Sequence, residues 1–238
     1  MKIKKTRLTI ITNLVLAFVL VCVAVVSFLP QAVAPVNSDL TVKPIYNGNR
    51  AYKRVSLMFN VYENSKVVEG IVDELNSRNL KATFFVGGCW ADDNGELLKK
   101  MVEDGHEIAN HGYFHKDHKK LSYDGNVQEI KLTGSIVKAL CGAETTLFAP
   151  PSGSFGNNTL IACSELGYKV IMWSKDTIDW RDSNQDLIIK RATTNVSNGD
   201  LVLMHPKPHS LSALPKILDY FEKIGLEQVK VSQNILEN

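Results

Sequence analysis

From Arg54 onward, short apolar runs rich in β-branched and aromatic residues alternate with segments of helical periodicity. The apolar runs predict strands at 55–59, 81–86, 107–109, 146–148, 169–173 and 201–204. The periodic segments predict helices at 67–75, 95–104, 126–140, 185–195 and 214–224. Short buried strands that alternate with helices are typical of parallel βαβ units. Six or seven such units favour an α/β fold with a closed or distorted (β/α) barrel over an open doubly wound sheet.

The composition and charge of the 238-residue chain argue against several classes of partner. Its net charge of +2 and the absence of a Lys/Arg block from the body of the chain argue against nucleic acid. No glycine-rich phosphate loop follows the first predicted strand, which argues against a nucleotide. Residues 54–238 have the size of one domain, and the polar, proline-containing residues 36–53 before them predict a linker.

Residues 1–35 have the composition of a signal or membrane anchor. An apolar run at 8–29 is preceded by the basic residues Lys2, Lys4, Lys5 and Arg7. The run has the length that a helix needs to cross a bilayer, which favours a retained single-pass anchor. The small residues Ala32 and Ala34 leave cleavage as a signal peptide open, in which case the domain is secreted. In both cases the basic residues stay in the cytoplasm and the domain lies outside it.

The four cysteines fit an exported protein but match no zinc-binding spacing. Cys22 lies in the apolar run, which leaves Cys89, Cys141 and Cys163 in the exported part. An odd number leaves at least one thiol unpaired, so buried free thiols are the simplest prediction. A bridge between Cys141 and Cys163 is the alternative.

Polar residues follow the predicted strands, and the carboxyl ends of barrel strands are where active sites form. His111 and His115 follow the third strand, and two imidazoles four residues apart can reach one metal ion if the backbone turns once between them. His205 ends the sixth strand, where a histidine can donate a proton to a substrate. Three unrelated polar histidines are the alternative. Other polar residues at such ends are Asn60, Asp176 and Asp179.

Five segments resemble, in the same order, motifs of the polysaccharide deacetylase (NodB-homology) family of carbohydrate esterases. They are residues 81–86, 105–115, 148–153, 176–180 and 201–205. The family's two metal-binding histidines match His111 and His115, and the histidine of its last motif matches His205. The resemblance covers about Arg54 to Val231 and implies the distorted barrel of that family. Residues 148–154 and the segment 204–206 are most similar to a sporulation-associated branch.

The resemblance implies hydrolysis that removes N-acetyl groups from amino sugars of a cell-envelope glycan, either peptidoglycan or a chitin-like polymer. A divalent ion, zinc above all, would be held by His111 and His115 and would lower the pKa of a bound water to ~7. His205 would protonate the departing amine. The residues expected to bind the substrate are Tyr113, Pro150, Pro151, Ser152, Gly153, Asp176, Asp179 and Trp180.

The first family motif, Thr-Phe-Asp-Asp-Gly, is altered in this chain. Asn60 occupies the position of the base, and an amide cannot accept the proton from water. Val61 occupies the position of the third metal ligand and has no lone pair to offer. Ala149 replaces the arginine that orients the base. Glu63 is the best substitute carboxylate, and a solvated residue at a helix start is the alternative for it.

Two histidines without a carboxylate make a poor zinc site, because catalytic sites normally have three protein ligands. The ion is therefore expected to be weakly bound or absent. We predict a deacetylase-like hydrolase with altered or weak turnover, and the alternative is a catalytically silent fold that binds a glycan or a partner at the cell envelope. Among the other histidines, His106 is expected to be structural, His118 solvated and His209 on the surface.

Overall fold

The computed structural model describes residues 13–21 and 42–236. The chain divides into two compact units, Met1–Asp39 and Leu40–Asn238. In the first unit, residues 13–21 form helix α1, whose side chains are exposed. Among the described residues, no helix combines the length and the apolar character needed to cross a membrane. Most of the apolar run 8–29 lies outside the described residues, so the membrane anchor stays a prediction.

The described part of the second unit is built on one eight-stranded sheet in which all paired neighbours run parallel. The strands are β1 (Arg54–Val61), β2 (Thr83–Val86), β3 (Glu107–Asn110), β4 (Leu147–Phe148), β5 (Lys169–Val170), β6 (Lys175–Asp176), β7 (Asp200–Met204) and β8 (Glu227–Gln228). Their order is β5-β4-β3-β2-β1-β7-β6, and β8 pairs with β1. Because the strands are parallel, all of their carboxyl ends lie at the same edge of the sheet.

Helices connect the strands and cover the sheet. They are α2 (Ser65–Ser77), α3 (Gly88–Asp93), α4 (Gly95–Glu103), α5 (Tyr123–Cys141), α6 (Asn157–Glu165), α7 (Gln185–Thr193), α8 (Pro208–Lys223) and α9 (Val231–Asn234). The buried residues of α2 are Val68, Ile71, Val72 and Leu75, at the three- and four-residue spacing of one helix face. α5 begins at a cap in which Ser122 accepts the Gly125 N–H at 3.1 Å, and it ends before Gly142, whose φ is 73°.

Alternation along β1 decides which of its residues reach the site. Leu57, Phe59 and Val61 are buried in the layer between the sheet and the helices. Met58 belongs to the separate cluster inside the curl of the sheet, and Asn60 follows it on the same face, because side chains in a strand alternate with a period of two. Each fully buried Leu or Phe stabilises the fold by about 1.5–3 kcal/mol, so this register is strongly fixed.

The sheet curls into an incomplete barrel, which confirms the predicted α/β class with parallel strands. Its terminal strands, β5 and β6, do not pair with each other in the described chain. Residues 45–47 lie near this gap, with bridges between Ile45 and Ile171 and between Asn47 and Asp200. Part of the predicted linker 36–53 therefore contacts the domain, and the boundaries placed at 35 and 53 stay predictions.

The differences from the predicted elements concern two strands, three helices and one helix start. The strands β6 and β8 consist of polar residues, so no apolar run reveals them, and the helices α3, α6 and α9 were not predicted. Helix α8 begins at Pro208 instead of residue 214, because proline is favourable in the first turn of a helix, where its missing N–H is not needed. In the described part of the chain, Cys89, Cys141 and Cys163 are free thiols, so the bridge considered between the last two is not formed.

Candidate active site

A cavity of about 510 Å³ opens where β1, β3 and β7 end. Its volume lies within the ~300–1,000 Å³ that is usual for small-molecule sites. Three imidazoles and three large aromatic side chains contribute to its wall. The wall consists of Asn60, Tyr62, Glu63, His111, His115, Ser152, Trp173, Asp176, Trp180, Leu203, His205, Pro206 and Lys207.

His111 directly follows β3 and is only 1% exposed. Its Nδ1 donates a hydrogen bond to the carbonyl oxygen of Ala149 at 2.7 Å, because a carbonyl can only accept. This bond fixes the tautomer and leaves the lone pair on Nε2. Burial, followed by the charge of His115, lowers the pKa of His111 to about 3. The imidazole is therefore neutral at physiological pH, the state required of a metal ligand or a hydrogen-bond acceptor.

His115 lies beside His111, with 5.2 Å between the ring centroids and 68° between the ring planes. It adopts a positive φ of 53° in the loop that follows β3. Glu129 of α5 holds this loop, since its carboxylate accepts the backbone N–H groups of Tyr113 and Phe114 at 2.9 and 2.8 Å. Burial lowers the pKa of His115 as well. The structure thus brings the two predicted ligand histidines together as neutral imidazoles.

His205 follows β7 and shares a buried network with Asp179. Its Nδ1 donates to Oδ1 of Asp179 at 2.8 Å, and its backbone N–H donates to Oδ2 at 2.8 Å. Ser210 Oγ donates to the same Oδ2 at 2.6 Å. Burial alone would raise the pKa of Asp179, but the hydrogen bonds and charge of His205, with the bond from Ser210, hold it below its ordinary value. The carboxylate therefore stays ionised and orients the imidazole, with Nε2 on the opposite side of the ring.

The altered first motif leaves Asn60 and Val61 in different surroundings. Asn60 is 5% exposed and lies in the cavity wall, and its Oδ1 is a buried acceptor without a hydrogen-bond partner. Val61 is fully buried among the apolar residues between the sheet and the helices. The side chain at the position of the third ligand is therefore part of the hydrophobic core.

The two carboxylates described in the cavity wall, Glu63 and Asp176, each have a partner within the chain. Glu63 forms an ion pair with Nζ of Lys207, which also lies in the wall. Asp176 accepts the backbone N–H of Ile178 at 2.8 Å. The roles of Glu63 as a substitute base and of Asp176 as a substrate-binding residue stay predictions.

The residues expected to bind the substrate divide into two groups. Ser152, Asp176 and Trp180 belong to the cavity wall, whereas Asp179 lies behind His205. Tyr113 packs on Gly88, where a Cβ would come within 2.1 Å of its Cδ2. The remaining residues, Pro150, Pro151 and Gly153, form the turn that carries Ser152.

Two of the remaining histidines differ from expectation. His118 is fully buried and donates from Nδ1 to Oδ1 of Asn126 at 2.7 Å, so the prediction of a solvated side chain was wrong. His209 is half-buried and its Nε2 lies 2.8 Å from the carbonyl oxygen of Asp179, because α8 begins one residue before it. The predicted surface position is therefore wrong as well. His106 is buried and accepts the Ala82 N–H at 3.2 Å, which confirms its structural role.

Sequence reasoning missed five members of the wall, namely Tyr62, Trp173, Leu203, Pro206 and Lys207. Tyr62 directly follows the altered Asn60-Val61 pair, and that adjacency was the available signal. Lys207 comes two residues after His205, and only its ion pair with Glu63 reveals its place at the cavity.

The described residues around the cavity offer two nitrogen donors to a metal ion. In the part of the chain that the structure describes, no three side chains of His, Cys, Asp or Glu come together at a point that could hold one. His111 and His115 supply two nitrogen donors, and the nearby group at the base position is the neutral amide of Asn60. Zinc sites in enzymes normally have three protein ligands, so these residues do not fit a firmly held zinc ion.

Comparison with known proteins decides the family. Residues 47–171, more than half of the chain, match the family model described as polysaccharide deacetylase. This chain belongs to the polysaccharide deacetylase family. The family comprises hydrolases that act on carbon–nitrogen bonds, and its deacetylases are metalloenzymes. A divalent ion is therefore the expected class of cofactor, and the two-histidine donor set departs from that expectation.

Two curated relatives share sequence with most of this deacetylase-family chain. The uncharacterized protein YlxY of Bacillus subtilis is 33% identical over 187 residues, which cover 79% of this chain and 59% of the relative. The peptidoglycan-N-acetylglucosamine deacetylase PgdA of Listeria monocytogenes is 31% identical over 182 residues, which cover 76% of this chain and 38% of the relative. The chain thus spans less than two thirds of the length of these relatives.

Two solved structures of the same family differ in the activity that is described for them. A crystal structure described as a CE4 family pseudoenzyme from Bacillus anthracis superimposes with a TM-score of 0.80 and 31% identity, covering 84% of this chain and 71% of that one. A mutant of that protein, described as having restored enzymatic activity, superimposes with a TM-score of 0.80 and 30% identity, covering 84% and 74%. The fold of this chain is therefore shared with a protein whose wild-type form is described as a pseudoenzyme.

Proposed function

We propose that the domain is a polysaccharide deacetylase-type hydrolase whose substrate is an N-acetylated amino sugar of cell-envelope glycan, with peptidoglycan ahead of a chitin-like polymer. The observation that carries the proposal is the grouping of His111, His115 and His205 around one cavity of about 510 Å³. A relative named as a peptidoglycan-N-acetylglucosamine deacetylase supports the choice of glycan.

The proton-donating part of the reaction is assigned to His205. Hydrolysis of the N-acetyl bond leaves an amine that must be protonated as it departs, and an imidazole oriented by a carboxylate suits that step. Asp179 fixes the orientation of His205 through the 2.8 Å contact with Nδ1. Trp180, which is 55% exposed, offers an apolar face against which a sugar ring can pack.

The water-activating part of the reaction is compromised. The amide of Asn60 cannot take a proton from water, and Glu63 is committed to the ion pair with Lys207. A positioned general base typically contributes ~10²–10⁴-fold to the rate, so turnover is expected to be slower by that order than in a member with the intact motif. Zinc is the proposed ion. Two imidazoles hold it weakly, so it is expected to be lost during purification with a chelator.

The second candidate is a catalytically silent member of the family that binds glycan at the cell envelope. Two observations favour it: the Asn60-Val61 pair, and the similarity to a protein described as a CE4 family pseudoenzyme. Both candidates use the same cavity and the same class of ligand. They differ in whether the acetyl group leaves.

Mass spectrometry of glycan incubated with the purified full-length chain separates the candidates. Slow loss of acetyl groups from peptidoglycan or chitooligosaccharides, abolished in His205→Ala, is the result expected for the hydrolase. Binding without acetyl loss would select the silent candidate. A folded chain that neither binds nor deacetylates any N-acetylated glycan would contradict both.

We also propose that residues 8–29 anchor the chain in the cell membrane, with the domain outside the cytoplasm and an association with sporulation. Support for the anchor comes from the basic residues before the apolar run and from the helical conformation of residues 13–21. The expected result is that protease added to intact protoplasts removes the domain from the membrane fraction. Recovery of the full-length chain from the culture medium would contradict anchoring.

A further inference from the structure

Tyr62 occupies the position where the resembling motif has glycine, directly after the Asn60-Val61 pair. Its ring lies 5.1 Å from the ring of His115 at an angle of 54° and forms part of the cavity wall. It also packs on Gly87, where a Cβ would come within 2.2 Å of its Cδ2. The absence of a side chain at Gly87 therefore makes room for an aromatic ring against the second ligand histidine.

The tyrosine hydroxyl adds no charge to the cavity. A phenol is uncharged at physiological pH. Glu63 and Lys207 balance each other in an ion pair, which leaves the Asp176 carboxylate as the acidic group of the wall without an ion pair among the described residues. A wall of aromatic rings with one such carboxylate suits a neutral ligand that has an apolar face and hydroxyl groups able to donate, as a sugar has.

Asn60 supplies the polar group that matches an acetamido substituent. Its Oδ1 is a buried acceptor without a partner, and such a group is costly unless a ligand or water satisfies it. An acetamido group carries one N–H donor and one carbonyl acceptor. A primary amide offers both complements, whereas a carboxylate can only accept.

From these contacts we propose that the cavity binds an N-acetylated amino sugar without a metal ion, with the ring of Tyr62 against the sugar and the amide of Asn60 paired with its acetamido group. The inference rests on the proposed function, because it concerns the same cavity and ligand class. It departs from the metal-dependent chemistry of the family on one point. The residue that replaces the family's base, Asn60, pairs with the acetamido group instead, while Val61, which replaces the third ligand, belongs to the core.

Isothermal titration calorimetry tests the proposal with the full-length chain in mild detergent and a tetramer of N-acetylglucosamine as the probe. The dissociation constant is expected to agree within about twofold between buffer with EDTA and buffer with zinc. The matched glucosamine tetramer, which lacks the acetyl groups, is expected to bind at least about tenfold more weakly. Binding that requires zinc would overturn the inference and leave the proposed function standing, whereas no binding in either buffer would overturn both.

Two pairs of variants locate the contacts. Tyr62→Ala is expected to raise the dissociation constant roughly tenfold, and Tyr62→Phe to change it less than about twofold, because the ring makes the contact. Asn60→Asp is expected to weaken binding by about tenfold, since a carboxylate lacks the donor, whereas Asn60→Gln keeps the amide and loses less. Thermal unfolding of each variant verifies that it folds. Unchanged affinity in folded Tyr62→Ala or Asn60→Asp would refute the assignment of that contact.

Discussion

The two sides of the cavity have diverged to different extents. On the side of β7 and α8, the histidine of the family's last motif is present, and its orienting carboxylate is buried and fully hydrogen-bonded. On the side of β1, the two aspartates of the first motif are replaced by Asn60 and Val61. We call the side with His205 and Asp179 the intact half of the site. The altered half is the side where the amide of Asn60 and the core residue Val61 replace two carboxylates.

The contrast follows from what each residue does for the fold. Asp179 joins three parts of the chain, because it accepts from the backbone and ring of His205 and from Ser210 of α8. Losing it would leave buried donors without a partner. Val61, by contrast, packs in the core between sheet and helices, where an apolar residue is favourable. The presence of the His205–Asp179 pair can therefore be explained by its contribution to stability as well as by a role in catalysis.

The largest effect is expected from Asp179→Ala. The change removes the acceptor of three hydrogen bonds in a buried network, so the free energy of unfolding should fall by roughly 3 kcal/mol. Asp176→Ala is the matched control, because Asp176 is half-buried and accepts only the Ile178 N–H among the hydrogen bonds described; about 1 kcal/mol is expected. Urea denaturation measures both. Equal losses in the two variants would remove the structural explanation for the intact half.

The altered half can be tested by restoring it. Asn60→Asp places a carboxylate in the cavity wall, whereas Val61→Asp buries one among the apolar residues between the sheet and the helices. The double variant is therefore expected to lose roughly 3 kcal/mol of stability without a gain in deacetylation. Asn60→Asp alone, and the pair Asn60→Asp with Val61→Asn, should also gain little activity, because the carboxylate at position 60 acts as the base and a third metal ligand is still missing. Mass-spectrometric counting of acetyl groups lost from chitooligosaccharides, together with metal analysis, gives the readout. A large gain from Asn60→Asp alone would mean that the metal site was otherwise complete.

The fold class, six of the strands and the order of the motifs could be predicted from the sequence, because hydrophobic periodicity and motif spacing are local properties. The strands β6 and β8 could not be predicted, since they consist of polar residues and their pairing depends on tertiary contacts. The site shows the same division. Asn60, His111, His115 and His205 were identified from strand ends and motifs. Tyr62 and Lys207 were missed, because only the folded chain shows a ring against His115 or an ion pair with Glu63.

Acid should destabilise the altered half. Burial lowers the pKa of His111 from 6.5 to about 3, so between these values the unfolded chain binds a proton that the folded chain excludes. The stability due to the neutral ring is complete above pH 6.5 and is lost as the pH falls, with about 2 kcal/mol gone at pH 5. Urea denaturation at pH 7 and pH 5 should show this loss in the unmodified chain and a smaller one in His111→Asn. The same loss in both would show that His111 does not carry the dependence.

The smallest expected effect isolates one bond of the intact half. Ser210→Ala removes the 2.6 Å donor to Oδ2 of Asp179 but leaves both bonds from His205, so the free energy of unfolding should fall by about 1 kcal/mol. Ser212→Ala is the control two residues along α8, because its hydroxyl donates to the Pro208 carbonyl at an exposed position; no more than about 0.5 kcal/mol is expected. If Ser210→Ala were as mild as Ser212→Ala, the bonds from His205 alone would satisfy Asp179. Stability would then not explain why His205 and Asp179 are retained together. Ligand binding at His205 would explain it, as we propose for the ligand contacts of Tyr62 and Asn60.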